Sequence, residues 1–304
     1  MVFVHQIRQQ FCCSGVTGRI AARSGGLEAG VLAIARKWPW RRADASYARR
    51  MDLSRRDILA ASALPFLAGF AEPDYDVPYV PTPPELVEKM LDLAQVAPSD
   101  YLIDLGCGDG RIALAAARRG ARALGVDIDP VRIQEAVDAA RFAQMESRVA
   151  FRRQDLFRTP IYEATVIALY LLPRINLALR PRLLTELRPG SRVVSHAFNM
   201  GDWEPDGEDE LDGRHIFLWL VPAVAGGAWA LTEADGRSWT LEIEQRFQAV
   251  TGTLAGTGGV FDLQQARLRG TRLSFTAGGR PWAGSVGDAA MSGDNGTWSA
   301  RRVG

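Results

Sequence analysis

Lysine is almost missing from this chain. Only Lys37 and Lys89 occur, and the other 34 of its 36 basic residues are arginine. A GC-rich coding sequence produces that bias without help from function, so no single arginine carries weight by itself. Cysteine is scarce too. Cys12 and Cys13 adjoin near the start and Cys107 stands alone in a glycine-rich stretch, so the folded part offers no disulfide pair and no metal-ligand spacing. After residue 76 no apolar run approaches the roughly 20 residues that a membrane helix needs. Neither sign of charge is in surplus overall, at a formal net charge of +1. The balance is uneven, however. Through Arg56 there are 11 basic and 3 acidic residues, leaving 25 basic and 32 acidic residues after it. A mildly acidic folded part argues against a broad phosphate-binding surface, so nucleic acid is not the expected partner.

What is present divides by composition. Hydrophobic residues make up 47% of the 304, enough for a sizeable core and more than one average domain. Residues 1–50 are Arg- and Gly-rich and show no amphipathic period. Arg55-Arg56 and the short apolar run Ile58 to Phe70 follow, with small residues at Ala68, Gly69 and Ala71. A basic segment, a short apolar segment and small residues have the form of a bacterial export signal and resemble a twin-arginine (Tat) signal; the plainer reading is an amphipathic helix. On the export reading Met51 is the start, 1–50 an over-extended gene reading, 51–76 the signal and linker, and the periplasm the destination; the alternative is the cytoplasm.

From 77 to 222 the pattern is that of alternating strands and helices. Thr82-Pro83-Pro84-Glu85 fits a capping box with proline at the first helical position, opening a helix through Leu93-Ala94. Strands are predicted at Tyr101 to Leu105, Ala121 to Val126, Arg148 to Arg153, Ala164 to Leu169 and Ser191 to His196, with helices between them. This alternation predicts an α/β fold: a parallel, doubly wound, Rossmann-like sheet whose ligand sits at the carboxyl ends of the strands. From 223 to 304 helical periodicity stops. Trp239, Leu241 and Ile243 alternate with polar neighbours, as do Leu268 with Leu273 and Phe275 across the Gly270-Thr271 turn, which predicts a small antiparallel β-barrel or sandwich.

The strongest chemical signal is Asp104-Leu105-Gly106-Cys107-Gly108-Asp109-Gly110-Arg111, between the first strand and its helix. Glycines at Gly106, Gly108 and Gly110 let the backbone turn sharply and approach a ligand closely. Asp127 ends the second strand, where an acid can accept from two ribose hydroxyls. Asp155 follows the third, where it can accept from an adenine amino group, with Leu156 and Phe157 beside the ring. A plain tight turn, a helix cap and a surface acid are the respective bland readings. The dinucleotide fingerprint G-x-G-x-x-G wants its last glycine at Arg111, which weighs against a nicotinamide cofactor.

This order of elements resembles class I S-adenosylmethionine-dependent methyltransferases. With Val77-Pro78-Tyr79-Val80-Pro81-Thr82-Pro83 upstream, it is similar to the group that includes the ATP synthase c-subunit lysine methyltransferase and its bacterial relatives. The likeness covers about Val77 to Asp206. It implies S-adenosyl-L-methionine as cofactor, with Asp104 facing its amino group, and a lysine side chain of a protein as acceptor. The fourth strand exits as Tyr170-Leu171-Leu172-Pro173 and lacks the Asn/Asp-Pro-Pro-Tyr motif of many small-molecule N-methyltransferases. Tyr79 and Tyr170 are the candidate catalytic residues, expected to wall the acceptor pocket. His196 is expected to be structural or to relay a proton, and Gly201 to Pro205 to shape the rim or pack as a loop. Two rivals stand beside this reading: a small-metabolite methyltransferase, and an exported barrel that binds a ligand while its cofactor site is vestigial.

Overall fold

The computed structural model describes residues 79–303. The twin-arginine segment and the proposed start at Met51 lie outside the described residues. Two sheets follow one another along the chain. The first holds seven strands in the order β3-β2-β1-β4-β5-β7-β6. These are β1 (Tyr101–Leu105), β2 (Arg122–Asp127), β3 (Val149–Arg153), β4 (Val166–Leu169), β5 (Arg192–His196), β6 (Gly207–Leu211) and β7 (Arg214–Leu220). The first five pair in parallel, as in Ile103 with Leu124 and Ile167. Helices α1 (Pro84–Leu93), α2 (Arg111–Arg118), α3 (Pro130–Phe142) and α4 (Pro173–Glu186) cover the faces.

Strand alternation divides the core. Leu102 faces Leu86, Met90 and Ala113 on one side, whereas Ile103 and Leu105 face Leu179, Leu183 and Trp219 on the other. β1, β2, β4 and β5 are buried on both faces over most of their length, which is why they read as nearly continuous apolar runs, whereas the edge strand β3 is largely exposed. The chain winds from β1 to β2 on one side and returns to β4 on the other, so the carboxyl ends of these strands open a crevice.

Two expectations need correction. The sheet is mixed, because β7 pairs antiparallel with β5 and with β6. β6 is an edge strand whose Glu208-Asp209-Glu210 carries no apolar alternation, and Asp209 pairs instead with Lys89 of α1 at 2.7 Å. The hairpin signal was Asp212-Gly213, with φ of 52° and 74°, the two positive values a tight type I′ turn requires. Nor is there a capping box. Pro83 is the N-cap of α1 and no side chain caps it, because the Thr82 hydroxyl turns inward to His196 Nδ1 at 3.2 Å.

The second sheet has nine antiparallel strands, β8 (Gly227–Glu233), β9 (Ser238–Arg246), β10 (Ala249–Gly256), β11 (Gly259–Asp262), β12 (Gln264–Arg269), β13 (Arg272–Ala277), β14 (Arg280–Val286), β15 (Ala290–Gly293) and β16 (Trp298–Arg302), in the order β11-β10-β9-β8-β16-β15-β14-β13-β12. It curls into a nearly closed barrel, and Leu263 between the end strands donates its N–H to Gly252 O at 2.9 Å. Trp229, Phe275, Trp282 and Trp298 fill its interior, with Phe275 and Trp282 stacked at 6.0 Å. The barrel is joined to the first sheet by Ala223 N to Gly270 O at 2.8 Å, by the Arg246–Asp202 ion pair and by Phe247 against Trp203. Gly201 to Pro205 is therefore a packing loop: Trp203 is fully buried and its carbonyl accepts from Trp219 Nε1 at 2.7 Å.

Candidate active site

The carboxyl edge of β1, β2, β3 and β4 opens on a cavity of about 220 Å³. Seven of the eight candidate residues line it: Tyr79, Asp104, Gly106, Gly108, Asp127, Asp155 and Tyr170. Gly110 does not. It is the N-cap of α2 at φ 79°, and a Cβ there would lie 2.4 Å from the Phe151 ring, so its part is to turn the chain tightly into the helix. Gly108, at φ 52°, has the Tyr79 ring where its Cβ would be, at 2.5 Å.

Asp127 holds the glycine loop. One carboxylate oxygen accepts from Gly108 N and the other from Asp129 N, each at 2.9 Å. Each oxygen keeps a second lone pair for a further donor. Asp155 caps the short 3₁₀ turn Leu156–Arg158 through Phe157 N at 2.8 Å, while Gln154, Leu156 and Phe157 form the wall beside it.

Asp104 is the anomaly. It is 1% exposed and its Oδ2 has no hydrogen-bond partner. Burial, then the nearby Asp127 and Asp109 carboxylates, push its pKa up to about 8 against one stabilising amide at Ala113. A buried acid left half-satisfied is costly, and a cationic donor placed in this cavity would relieve it. Burial and the same acids raise the Cys107 thiol, so it is a poor nucleophile here.

Arginines, discounted in the sequence, organise the mouth. Arg111 donates from Nε to Asp109 Oδ1 at 2.9 Å and from Nη1 to the Thr82 carbonyl at 2.8 Å, so it ties the Tyr79–Thr82 lead-in to the glycine loop. Burial opposes ionisation of Asp109, but the Arg111 hydrogen bonds and charge prevail and hold its pKa below the usual carboxylate value. Arg132 of α3 lies over the Tyr79 ring at 4.4 Å. Burial, then Asp109, raises the Tyr79 hydroxyl, and burial raises that of Tyr170, so both are neutral phenols at neutral pH. His196 is 2% exposed and stacks on Tyr170 at 3.8 Å. Burial, followed by the Arg214 charge, lowers its pKa to about 4, too weak a base to take a proton from an ammonium group. Nothing local in the sequence pointed Arg111, Arg132 or Thr82 to these partners; only the fold brings them together at the site.

The site as built suits a ligand with a cationic amine, a ribose and a flat base. The buried unpaired Asp104 oxygen, a glycine loop open to close approach and the Asp127 carboxylate match those parts of S-adenosylmethionine. The family described as the ANTKMT methyltransferase domain matches residues 104–207. The protein-lysine N-methyltransferase of Saccharolobus islandicus (strain REY15A) is 44% identical over 151 residues, which is 48% of this chain and 94% of that protein. The adenine nucleotide translocase lysine N-methyltransferase of Mus musculus is 35% identical over 42% of this chain and 56% of its own length. Among solved structures, an RNA methyltransferase from Salinibacter ruber, in complex with S-adenosyl-L-homocysteine, is 49% identical over 47% of this chain and 94% of its own, with a TM-score of 0.47. On the family match and the near-complete coverage of the Saccharolobus islandicus relative, this chain belongs to the ANTKMT methyltransferase family and is an S-adenosylmethionine-dependent methyltransferase.

Proposed function

We propose that the methyl acceptor is a lysine side chain of a protein. The observation that carries this reading is the 44% identity to a protein named a protein-lysine N-methyltransferase, along nearly its whole length. The cavity supports it: its lining includes two neutral aromatic rings, Tyr79 and Tyr170, and the strand-four exit lacks the Asn/Asp-Pro-Pro-Tyr motif.

In this reading Asp104 receives the cofactor's ammonium group, Gly106 and Gly108 let the backbone approach its methionine part, Asp127 accepts from the ribose and Asp155 sits toward the adenine. S-adenosylmethionine supplies a methyl group on a sulfonium, with a neutral thioether as leaving group. Tyr79 and Tyr170 line the approach of the acceptor amine and exclude water, which depresses the amine's pKa. The acceptor would leave its proton in solvent as it enters the cleft, and its nitrogen lone pair would then be free to take the methyl group from the bound cofactor, which would leave as the thioether. The protein's contribution is alignment in line with the methyl carbon, and the aromatic faces favour the cationic product.

The experiment is transfer of labelled methyl to poly-L-lysine and to cell lysate, followed by hydrolysis and amino-acid analysis. Label in methyl-lysine supports the reading. Label in RNA or in a small metabolite, with none in lysine, overturns it. For location we propose export directed by Arg55-Arg56 and the apolar run after them; unchanged fractionation of an Arg55→Lys, Arg56→Lys variant would refute it.

A further inference from the structure

The exit of β5 is held with more bonds than a chain reversal needs. Ala197 sits at φ 66°, a left-handed conformation that costs an alanine of order 1 kcal/mol or more. Three groups keep it there. Ser195 Oγ donates to the Phe198 carbonyl at 2.8 Å, Asn176 Nδ2 donates to the same carbonyl at 3.2 Å, and Ala197 N donates to His215 O at 2.8 Å. The consequence is that His196 and Phe198 both turn a ring toward Tyr170. His196 stacks on it at 3.8 Å and 29°, and Phe198 lies at 6.4 Å and 19°. From the other side of the cleft the Thr82 hydroxyl meets His196 Nδ1 at 3.2 Å, while the Thr82 carbonyl is held by Arg111. Thr82 and Tyr170 line the cavity, and His196 stands behind them.

We infer that His196 is a positioning residue for methyl transfer: its imidazole, fixed by Thr82, seats the Tyr170 ring that faces the acceptor. This rests on the reading of Tyr170 as the acceptor wall. The seat suits the chemistry because a flat, uncharged ring can lie against Tyr170 without adding a cation beside a sulfonium and an incoming ammonium. Burial and the Arg214 charge both disfavour the imidazolium, so the ring stays neutral through the working range of pH. Strained backbone that several bonds over-determine is also what a site needing fixed geometry requires.

The test uses the full chain, with Thr82→Val to remove the hydroxyl at constant shape, Thr82→Ser to restore it, and His196→Phe to keep the stack while losing the bond. With poly-L-lysine as probe, Thr82→Val should lower kcat about tenfold or more, leaving S-adenosylhomocysteine affinity within about twofold by calorimetry. Thr82→Ser should recover most of the loss. The double variant Thr82→Val, His196→Phe should be no worse than the poorer single one, since both remove one bond. A second readout needs no acceptor. In spectra of protein labelled in its tyrosine and histidine rings, Thr82→Val should move the Tyr170 and His196 signals together and Thr82→Ser should return them. Unmoved Tyr170 signals, or a kcat loss that serine does not rescue, would overturn the inference. If the unaltered protein fails to methylate poly-L-lysine, the lysine reading fails, and the ring signals still decide the positioning role.

Discussion

Replacing Asp104 by Asn tests the cofactor site at its most unusual group. The carboxyl is 1% exposed, one oxygen has no partner, and its pKa stands at about 8 in the protein alone. If it receives the cofactor's ammonium it must ionise to do so. At pH 7 it is about one unit below its pKa, so ionisation costs about 1.4 kcal/mol and weakens binding about tenfold relative to alkaline pH. Each further unit downward adds another factor of about ten, until the pKa of the complex is reached. The cofactor's own amine titrates near pH 8, so the informative range is about pH 5.5 to about pH 7.5. The amide of the Asp104→Asn variant cannot ionise. That variant should lose the charged hydrogen bond, about 1.5–3 kcal/mol or roughly ten- to 150-fold in Kd, and lose the pH slope with it. Stability should move the other way. The folded wild type holds a proton between about pH 4 and about pH 8 that the unfolded chain has released, so its stability falls as pH rises through that window. The Asn variant should lack that fall and melt higher than wild type near pH 8 without ligand. Calorimetry with S-adenosylhomocysteine in buffers of different ionisation heat reads both the affinity and the released proton. Affinity that is flat across the window, with no proton released and an Asn variant that binds equally well, would refute the assignment.

Asp127→Ala should weaken S-adenosylhomocysteine binding by about 1.5–3 kcal/mol for each ribose bond lost, and Asp127→Asn by less because its remaining carbonyl still accepts; unchanged affinity in a folded variant would mean the acid serves only the Gly108 and Asp129 amides. Gly110→Ala places a Cβ 2.4 Å from Phe151 at a left-handed φ, so it should cost about 1–3 kcal/mol of stability, seen as a lower denaturation midpoint. Tyr170→Ala should lower kcat and kcat/KM together while S-adenosylhomocysteine affinity changes little, the pattern of an interaction made in the transition state. Parallel loss of both would make Tyr170 a cofactor contact.

The parallel half of the first sheet was legible because β1, β2, β4 and β5 are buried on both faces over most of their length and strands alternate with helices at regular spacing. The glycine loop was legible for a related reason: at Gly106 and Gly108 the backbone takes conformations that other residues resist. β6 was not, since an edge strand with one solvated side needs no apolar residues and Glu208-Asp209-Glu210 has none. Arg111 and Arg132 were hidden by a composition in which arginine is everywhere; what distinguishes them is three-dimensional, one across to Thr82 O and one over the Tyr79 ring. The Thr82 reading failed for a similar reason. Its spacing to Glu85 fits a cap, but a histidine 114 residues away competes for the hydroxyl and wins.

The rival reading, a ligand-binding barrel with a vestigial cofactor site, fares badly against the two interiors. The barrel's inside is closed by packed aromatic rings at separations near 6 Å, with Phe275 stacked on Trp282 and Trp298 tilted against it. A packed aromatic core stabilises the barrel and leaves its interior little room for a guest. The first sheet does the reverse. It keeps a cavity, a carboxyl buried with an unpaired oxygen and raised pKa, and a left-handed alanine behind the cavity wall. Each of these lowers the stability of the chain alone, and the first two are relieved by a ligand carrying a cation. Among the described residues none after Ile175 lines that cavity, and the barrel joins the first sheet through Asp202, Glu204 and Ala223. Any part the barrel takes in choosing an acceptor must therefore be played on parts of the acceptor outside the cleft. An acceptor chosen with the barrel's help would have to be large enough to touch the barrel and reach the cavity at once, which a small metabolite cannot do.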